Sequence, residues 1–126
     1  YPFLKDQPKF LFEYGQCLSK TGQYEEGIRI LTEGTRLSAD PMFYNIMGKD
    51  AEALKHFGQA EACFKQASYM VPHRLYPLYL LAKMYFESGQ SEKGRDMARQ
   101  VIQKEPKVMS DAVKEMKAEL EERLKP

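Results

Sequence analysis

The sequence has almost no net charge: 19 basic side chains face 18 acidic ones, leaving +1. A nucleic-acid-binding domain shows a basic surplus or a basic stripe, and neither is visible, so no nucleic-acid partner is expected. Long apolar runs are missing too. None approaches the roughly 20 residues that a membrane span needs, and no membrane insertion is expected of this stretch. The opening YPFLKDQPKF carries neither an initiator methionine nor a signal peptide, which reads as a piece of a longer protein. Cysteine is scarce. Cys17 and Cys63 form no CxxC pattern and sit beside small or apolar neighbours in helical stretches, so the expectation is two buried free thiols. His56 and His73 are the only histidines. Neither has metal-ligand spacing such as HExxH, and both read as exposed linker residues. There is no GxxxxGK phosphate loop. Ser38, Ser68, Ser88 and Ser110 lack a partnering base in any motif. The pairs Glu25/Glu26 and Glu121/Glu122 read as solvated helix faces. These absences predict no catalytic residue, no metal and no cofactor.

What the sequence does have is small residues at regular intervals. Its 126 residues, 43% hydrophobic and 29% charged, suit one globular domain with its own core. Within FLFEYGQCLSKTGQYEEGIRIL, Gly15, Gly22 and Gly27 interrupt an otherwise helical pattern, although a mid-helix glycine costs about 1 kcal/mol relative to alanine. Gly48 follows Gly15 by 33 residues and Ala82 follows Gly48 by 34. The flanks stay in register. Leu11, Tyr44 and Leu78 correspond, as do Tyr14, Met47 and Leu81, then Gly27, Ala60 and Gly94, then Gly34, Ala67 and Val101. Three copies of a unit of about 34 residues result.

Each copy reads as two helices: Pro8–Lys20 and Tyr24–Leu37, Pro41–Leu54 and Phe57–Met70, Leu75–Glu87 and Ser91–Lys104. Prolines suit the helix starts and glycines the stops. Gly22 and Gly89 serve the turns inside copies one and three. Gly15, Gly48 and Ala82, with Gly27, Ala60 and Gly94, offer bare backbone where a partner helix brings a bulky side chain.

This pattern resembles the tetratricopeptide repeat, with its signature W-x2-L-G-x2-Y…A-x3-F…P, over residues 8–106. The resemblance implies an all-α, right-handed superhelical solenoid of three helix pairs. The organisation expected is a 1–7 extension, repeats 8–40, 41–74 and 75–107, and a capping helix over 108–126. Three departures stand out: the linker SADP is altered, Lys55 replaces the turn glycine of copy two, and Ser91 replaces the turn aromatic of copy three. A left-handed Lys55 would carry strain of order 1 kcal/mol. In the tail, Val108, Ala112, Val113, Met116, Leu120 and Leu124 fall near helical spacing. They give the cap one apolar face, as the end of a repeat stack requires. The runs 10–49 and PHRLYPLYLLAKMYF, with the ending EPKV, also resemble the C-terminal tails of O-antigen ligase or polymerase-type membrane proteins of Gram-negative anaerobes. That resemblance implies a soluble appendage of a bacterial inner-membrane protein that assembles surface polysaccharide.

By the same carry-over, first helices line a concave groove, and the positions that contact ligands fall on Lys9, Phe12 and Gln16, on Asn45 and Lys49, and on Tyr76, Tyr79, Lys83 and Phe86. A protein or peptide partner is the expected occupant, through scaffolding rather than catalysis. For Phe12, Tyr79 and Phe86, packing against neighbouring repeats is an open alternative. So is simple solvation for Lys49 and Lys83. The Lys/Asn set with which some family members clamp a terminal carboxylate is replaced here by Phe12, Gln16, Ile46, Tyr76 and Leu80. Two other functions stay open: a glycan-binding or glycan-processing activity, and a homo-oligomer formed through the solenoid ends.

Overall fold

The computed structural model describes residues 7–104 and 110–125. Among them are seven helices and no strand: α1 (Pro8–Lys20), α2 (Tyr24–Thr35), α3 (Met42–Ala53), α4 (Phe57–Met70), α5 (Tyr76–Glu87), α6 (Ser91–Gln103) and α7 (Asp111–Leu124). Each helix packs on the one before and the one after. Beyond that, α1 touches α3, α3 touches α5 and α5 touches α7. This is the pattern of an all-α solenoid of stacked pairs. In it, α7 stands to α6 and α5 as α3 stands to α2 and α1, so it occupies the place of a first helix in a fourth pair.

The small residues set the spacing within pairs. A methyl group at Gly15 would lie 2.5 Å from Leu31 of α2, and one at Gly48 would lie 2.4 Å from the Phe64 ring of α4. Leu31 and Phe64 are wholly buried, as is Ala82, which joins Ala98 and Val101 in the third pair. Between pairs the same device recurs: Gly34 of α2 receives the ring of Phe43 from α3. The buried clusters therefore run across pair boundaries. One joins Leu31, Phe43, Ile46, Met47 and Cys63; the next joins Ala51, Phe64, Leu80, Leu81 and Met84; the last joins Leu75, Val101 and Leu120 of α7. A fourth cluster, Leu11, Leu18 and Ile30, lies within the first pair, and burial is worth about 1.5–3 kcal/mol per large side chain throughout.

The three turns inside the pairs share one geometry. Gly22 and Gly89 have φ of 81°, and Lys55 has φ of 62°. Just past each, an amide reaches back to the closing turn of the first helix: Gln23 N–H to Leu18 O, His56 N–H to Ala51 O, and Gln90 N–H to Tyr85 O, each at 2.8 Å. This six-to-one closure satisfies carbonyls that the helix ends leave open. Lys55 holds the left-handed conformation that its position in the repeat predicts, without glycine's freedom.

Several expectations need correction. Cys17 is exposed, and only Cys63 is buried. The buried ridge of α1 runs through Leu11, Gly15 and Leu18, and Cys17 falls outside it. Helix α2 stops at Thr35 rather than Leu37, because Arg36 and Leu37 turn their amides to carbonyls three residues back. Helix α3 starts at Met42 rather than Pro41, with the Met42 amide donating to Asp40 Oδ1 at 2.9 Å. Helices α5 and α6 are likewise one residue shorter, at the start and the end respectively. Helix α7 begins at Asp111, where Ser110 Oγ accepts from the Val113 amide at 3.2 Å. The 1–6 extension, Pro106 and Val108 lie outside the described residues.

Two substitutions test this packing. Lys55→Gly relieves a strained φ, and urea unfolding should show a gain of about 0.5–1 kcal/mol. Gly48→Ala drives a methyl into the Phe64 ring and should lose about 1–3 kcal/mol, whereas Gly58→Ala, in open space on α4, should not destabilise.

Candidate functional site

The first helices α1, α3 and α5 present their outer faces in a row, and α7 extends the row by one. Two clefts lie along it. The larger, of about 530 Å³, is walled by the start of α3 (Pro41, Met42, Asn45), the α4–α5 turn (Val71, Arg74), α5 (Tyr76, Pro77, Tyr79) and α7 (Ala112, Glu115, Met116, Glu119). The smaller, of about 320 Å³, lies between α1 and α3 and is lined by Gln16, Ser19, Lys20, Tyr24, Ile46, Lys49, Asp50 and Ala53.

Asn45 is the unusual residue of the larger cleft. It is 2% exposed. Its Nδ2 donates to Met42 Sδ at 3.4 Å, while its Oδ1 has no hydrogen-bond partner among the described residues. A buried acceptor left unpaired costs about 1–3 kcal/mol. Opposite, the Tyr79 hydroxyl donates to the Glu119 carboxylate of α7, 3.0 Å from either oxygen. Lys83 Nζ lies 3.2 Å from that hydroxyl, 3.3 Å from Glu119 and 5.1 Å from the centre of the Tyr79 ring. Burial would lower the Lys83 ammonium, but Tyr79 and Glu119 outweigh it and push the group up. The Tyr76 and Tyr79 rings stack at 6.2 Å.

The nine groove positions carried over from the repeat pattern are thus divided by the fold. Asn45, Tyr76 and Tyr79 meet in the larger cleft, with Lys83 tied to its wall. Gln16 and Lys49 meet in the smaller one. Lys9 is exposed and lines neither. Phe12 turns edge-on to Phe43 at 5.2 Å and joins the core behind it. Phe86 lies over bare Gly94 and under Arg123, whose Cζ is 5.3 Å from the ring centre. Both phenylalanines therefore pack between helices. Lys83 is an ion-pair partner rather than a freely solvated charge.

Other residues were not foreseen from the repeat pattern. Glu115, Glu119 and Met116 enter through α7, whose acidic side reads in the sequence as a solvent face. Asp50, 2% exposed, sits 2.7 Å from Ser19 Oγ and bridges α3 to α1. The signal for it was present: Met47, Asp50 and Ala51 share one helical face. Burial pushes the Asp50 carboxyl up to about 6, although Ser19 pulls the other way. Glu52 of α3 hydrogen-bonds the Glu87 carboxyl of α5. Burial first, then that like-charged neighbour, pushes Glu52 up to about 7 against the pull of Lys83 and Lys49. Burial likewise pushes the Cys63 thiol up to about 11. Helix α7 is held from behind by Lys117, whose Nζ donates to Ile102 O at 3.0 Å and Lys104 O at 2.8 Å, capping α6. Among the described residues, no helix is long and apolar enough to cross a membrane, and no group of three or more His, Cys, Asp or Glu could hold a metal ion.

The folded chain holds protons on Asp50 and Glu52 that the unfolded chain releases near pH 4. Stability should therefore fall as pH rises through about 4 to 7. Urea unfolding at pH 5 and pH 8 should show a lower midpoint at pH 8, and Glu52→Gln should recover part of the difference there. An unchanged profile in that variant would show that Glu52 ionises normally.

Sequence models of the tetratricopeptide repeat match residues 8–41 and residues 78–107, together just over half of the chain. Neither match covers 42–77, the stretch that carries Lys55. No curated protein matches the chain, so the resemblance to O-antigen ligase tails gains no support there. Among solved structures, the tetratricopeptide-repeat domain of Arabidopsis OM64 superimposes with a TM-score of 0.74 at 16% identity, over 95% of this chain and 98% of that one. At that identity the likeness speaks for the fold alone.

Proposed function

This chain belongs to the tetratricopeptide-repeat proteins, and on that premise we propose that it is a non-catalytic scaffolding domain whose α3–α5–α7 cleft docks a segment of a protein partner. Repeats of this kind generally serve protein–protein interaction. The observation that carries the reading is Asn45, which lines the cleft and whose buried Oδ1 has no hydrogen-bond partner among the described residues. A polypeptide segment brings N–H donors at every residue and satisfies it. The stacked Tyr76 and Tyr79 rings and the flexible Met42 and Met116 supply contact area that adapts to an incoming chain. The nine groove positions then split in role: Asn45, Tyr76 and Tyr79 contact the segment, Lys83 fixes the wall, Phe12 and Phe86 support it from within, and Lys9, Gln16 and Lys49 extend the surface toward α1.

The resemblance to O-antigen ligase tails adds a proposal for the parent: attachment to a bacterial inner-membrane protein that handles surface polysaccharide. Several apolar spans encoded upstream of Tyr1 would support it, and a start codon immediately upstream would end it. Self-association through the solenoid ends is a separate proposal that light scattering over a concentration series decides.

The cleft itself is tested by panning a phage-displayed library of random 12-residue peptides against the full chain. Ala112 is exposed on the cleft wall, so Ala112→Trp fills the cleft without touching the core. Retention of the enriched phage should fall at least tenfold, with urea unfolding unchanged. Equal retention by Ala112→Trp would place the docking surface elsewhere.

A further inference from the structure

Helix α7 is held to the stack unlike any other helix. Each of α1 to α6 buries three or more residues, whereas α7 buries Leu120 alone, with Val113, Met116 and Leu124 only partly covered. The device that seats one pair on the next is also missing at this boundary. Gly34 of α2 admits the Phe43 ring of α3. Val101 stands at the same register position of α6 and is itself wholly buried, so it leaves no bare backbone there for a side chain of α7 to enter. Polar ties take the place of that seat. Glu119 accepts from the Tyr79 hydroxyl at 3.0 Å and pairs with Lys83 at 3.3 Å, and the side chains of this ion pair are 42% and 31% exposed. Lys117 Nζ donates to the Ile102 and Lys104 carbonyls at the end of α6, and Arg123 lies over the Phe86 ring. Ion pairs this exposed are weak and are screened by salt.

We propose that α7 is an ionic latch: it leaves α5 and α6 as one unit while the three helix pairs stay folded, and salt opens it. Opening of this kind belongs to elements with few buried apolar contacts. The larger cleft exists only while the latch is shut, because Ala112, Glu115, Met116 and Glu119 form one of its walls. Opening therefore removes the docking surface. That consequence rests on the docking role proposed above; the opening itself does not.

Amide hydrogen exchange followed by NMR on the full chain tests the latch without any ligand. The amides from Lys114 to Leu124 should share one protection factor, at least about tenfold below those of Leu31, Phe64 and Leu81. Raising NaCl from about 0.05 to about 0.5 M should lower it severalfold and leave α1 to α4 unchanged. Glu119→Gln should lower it about two- to fivefold. Lys117→Met, which keeps the stem and lies outside the cleft, should lower it about tenfold. Both variants should leave α1 to α4 as they were. Protection of α7 equal to that of α6, protection that grades inward from Leu124 instead of being shared, or indifference to both salt and Glu119→Gln overturns the latch. A peptide enriched by panning should raise the protection of α7 as it fills the cleft, since it binds only the shut form. A peptide that protects α3 and α5 but not α7 overturns the control of docking by α7 and leaves the docking role standing. Failure to enrich any peptide overturns the docking role alone, because exchange in the free chain decides the latch.

Discussion

The structure depends on one contact made repeatedly: a bulky side chain from the second helix of a pair laid on bare backbone of the first. Leu31 covers Gly15 and Phe64 covers Gly48. Each seat fixes how near two helices approach, and therefore where the next pair must start. The helix-interior glycines cost about 1 kcal/mol each in propensity. Burial of the ring or isobutyl group that they admit, worth about 1.5–3 kcal/mol, exceeds that. The spacing of the first helices follows from the seats, and so does the row of side chains that they present.

Most of the fold was legible because the contact leaves a periodic trace. A small residue every 33 or 34 positions, with bulky residues at constant offsets, gave α1 and α4 to the residue and the other pair helices to within two. Register put Lys55 at the place of the turn glycine, and the structure gives it the left-handed φ that glycine takes in the other two turns. Cys17 was misread because helical phase, rather than apolar company in the sequence, decides burial. Its neighbours Leu18 and Gly15 face inward and it does not.

The site was less legible, for a physical reason. A repeat register names which positions point toward the groove but not how far each side chain is drawn into the gap between helices. Phe12 and Phe86 are drawn in, because Phe43 and Gly94 stand behind them. Tyr79 is held at the surface by its hydroxyl bond to Glu119. That acid comes from α7, which lies beyond the repeats and has no register to read. Asp50 was passed over although it shares a helical face with Met47 and Ala51: a carboxyl group on a core face violates the pattern by which cores are recognised, and its contact with Ser19 explains its place.

Helix α7 closes the hydrophobic stack with Leu120 and forms one side of the larger cleft with Glu115 and Glu119, while Lys117 pins it to the end of α6. The same rod is therefore both bulkhead and jaw. Both duties rest on the same contacts with α5 and α6, so the width of the cleft follows from how the far end of the solenoid is closed. Shortening the tail would take away one wall of that cleft as well as the lid of the core.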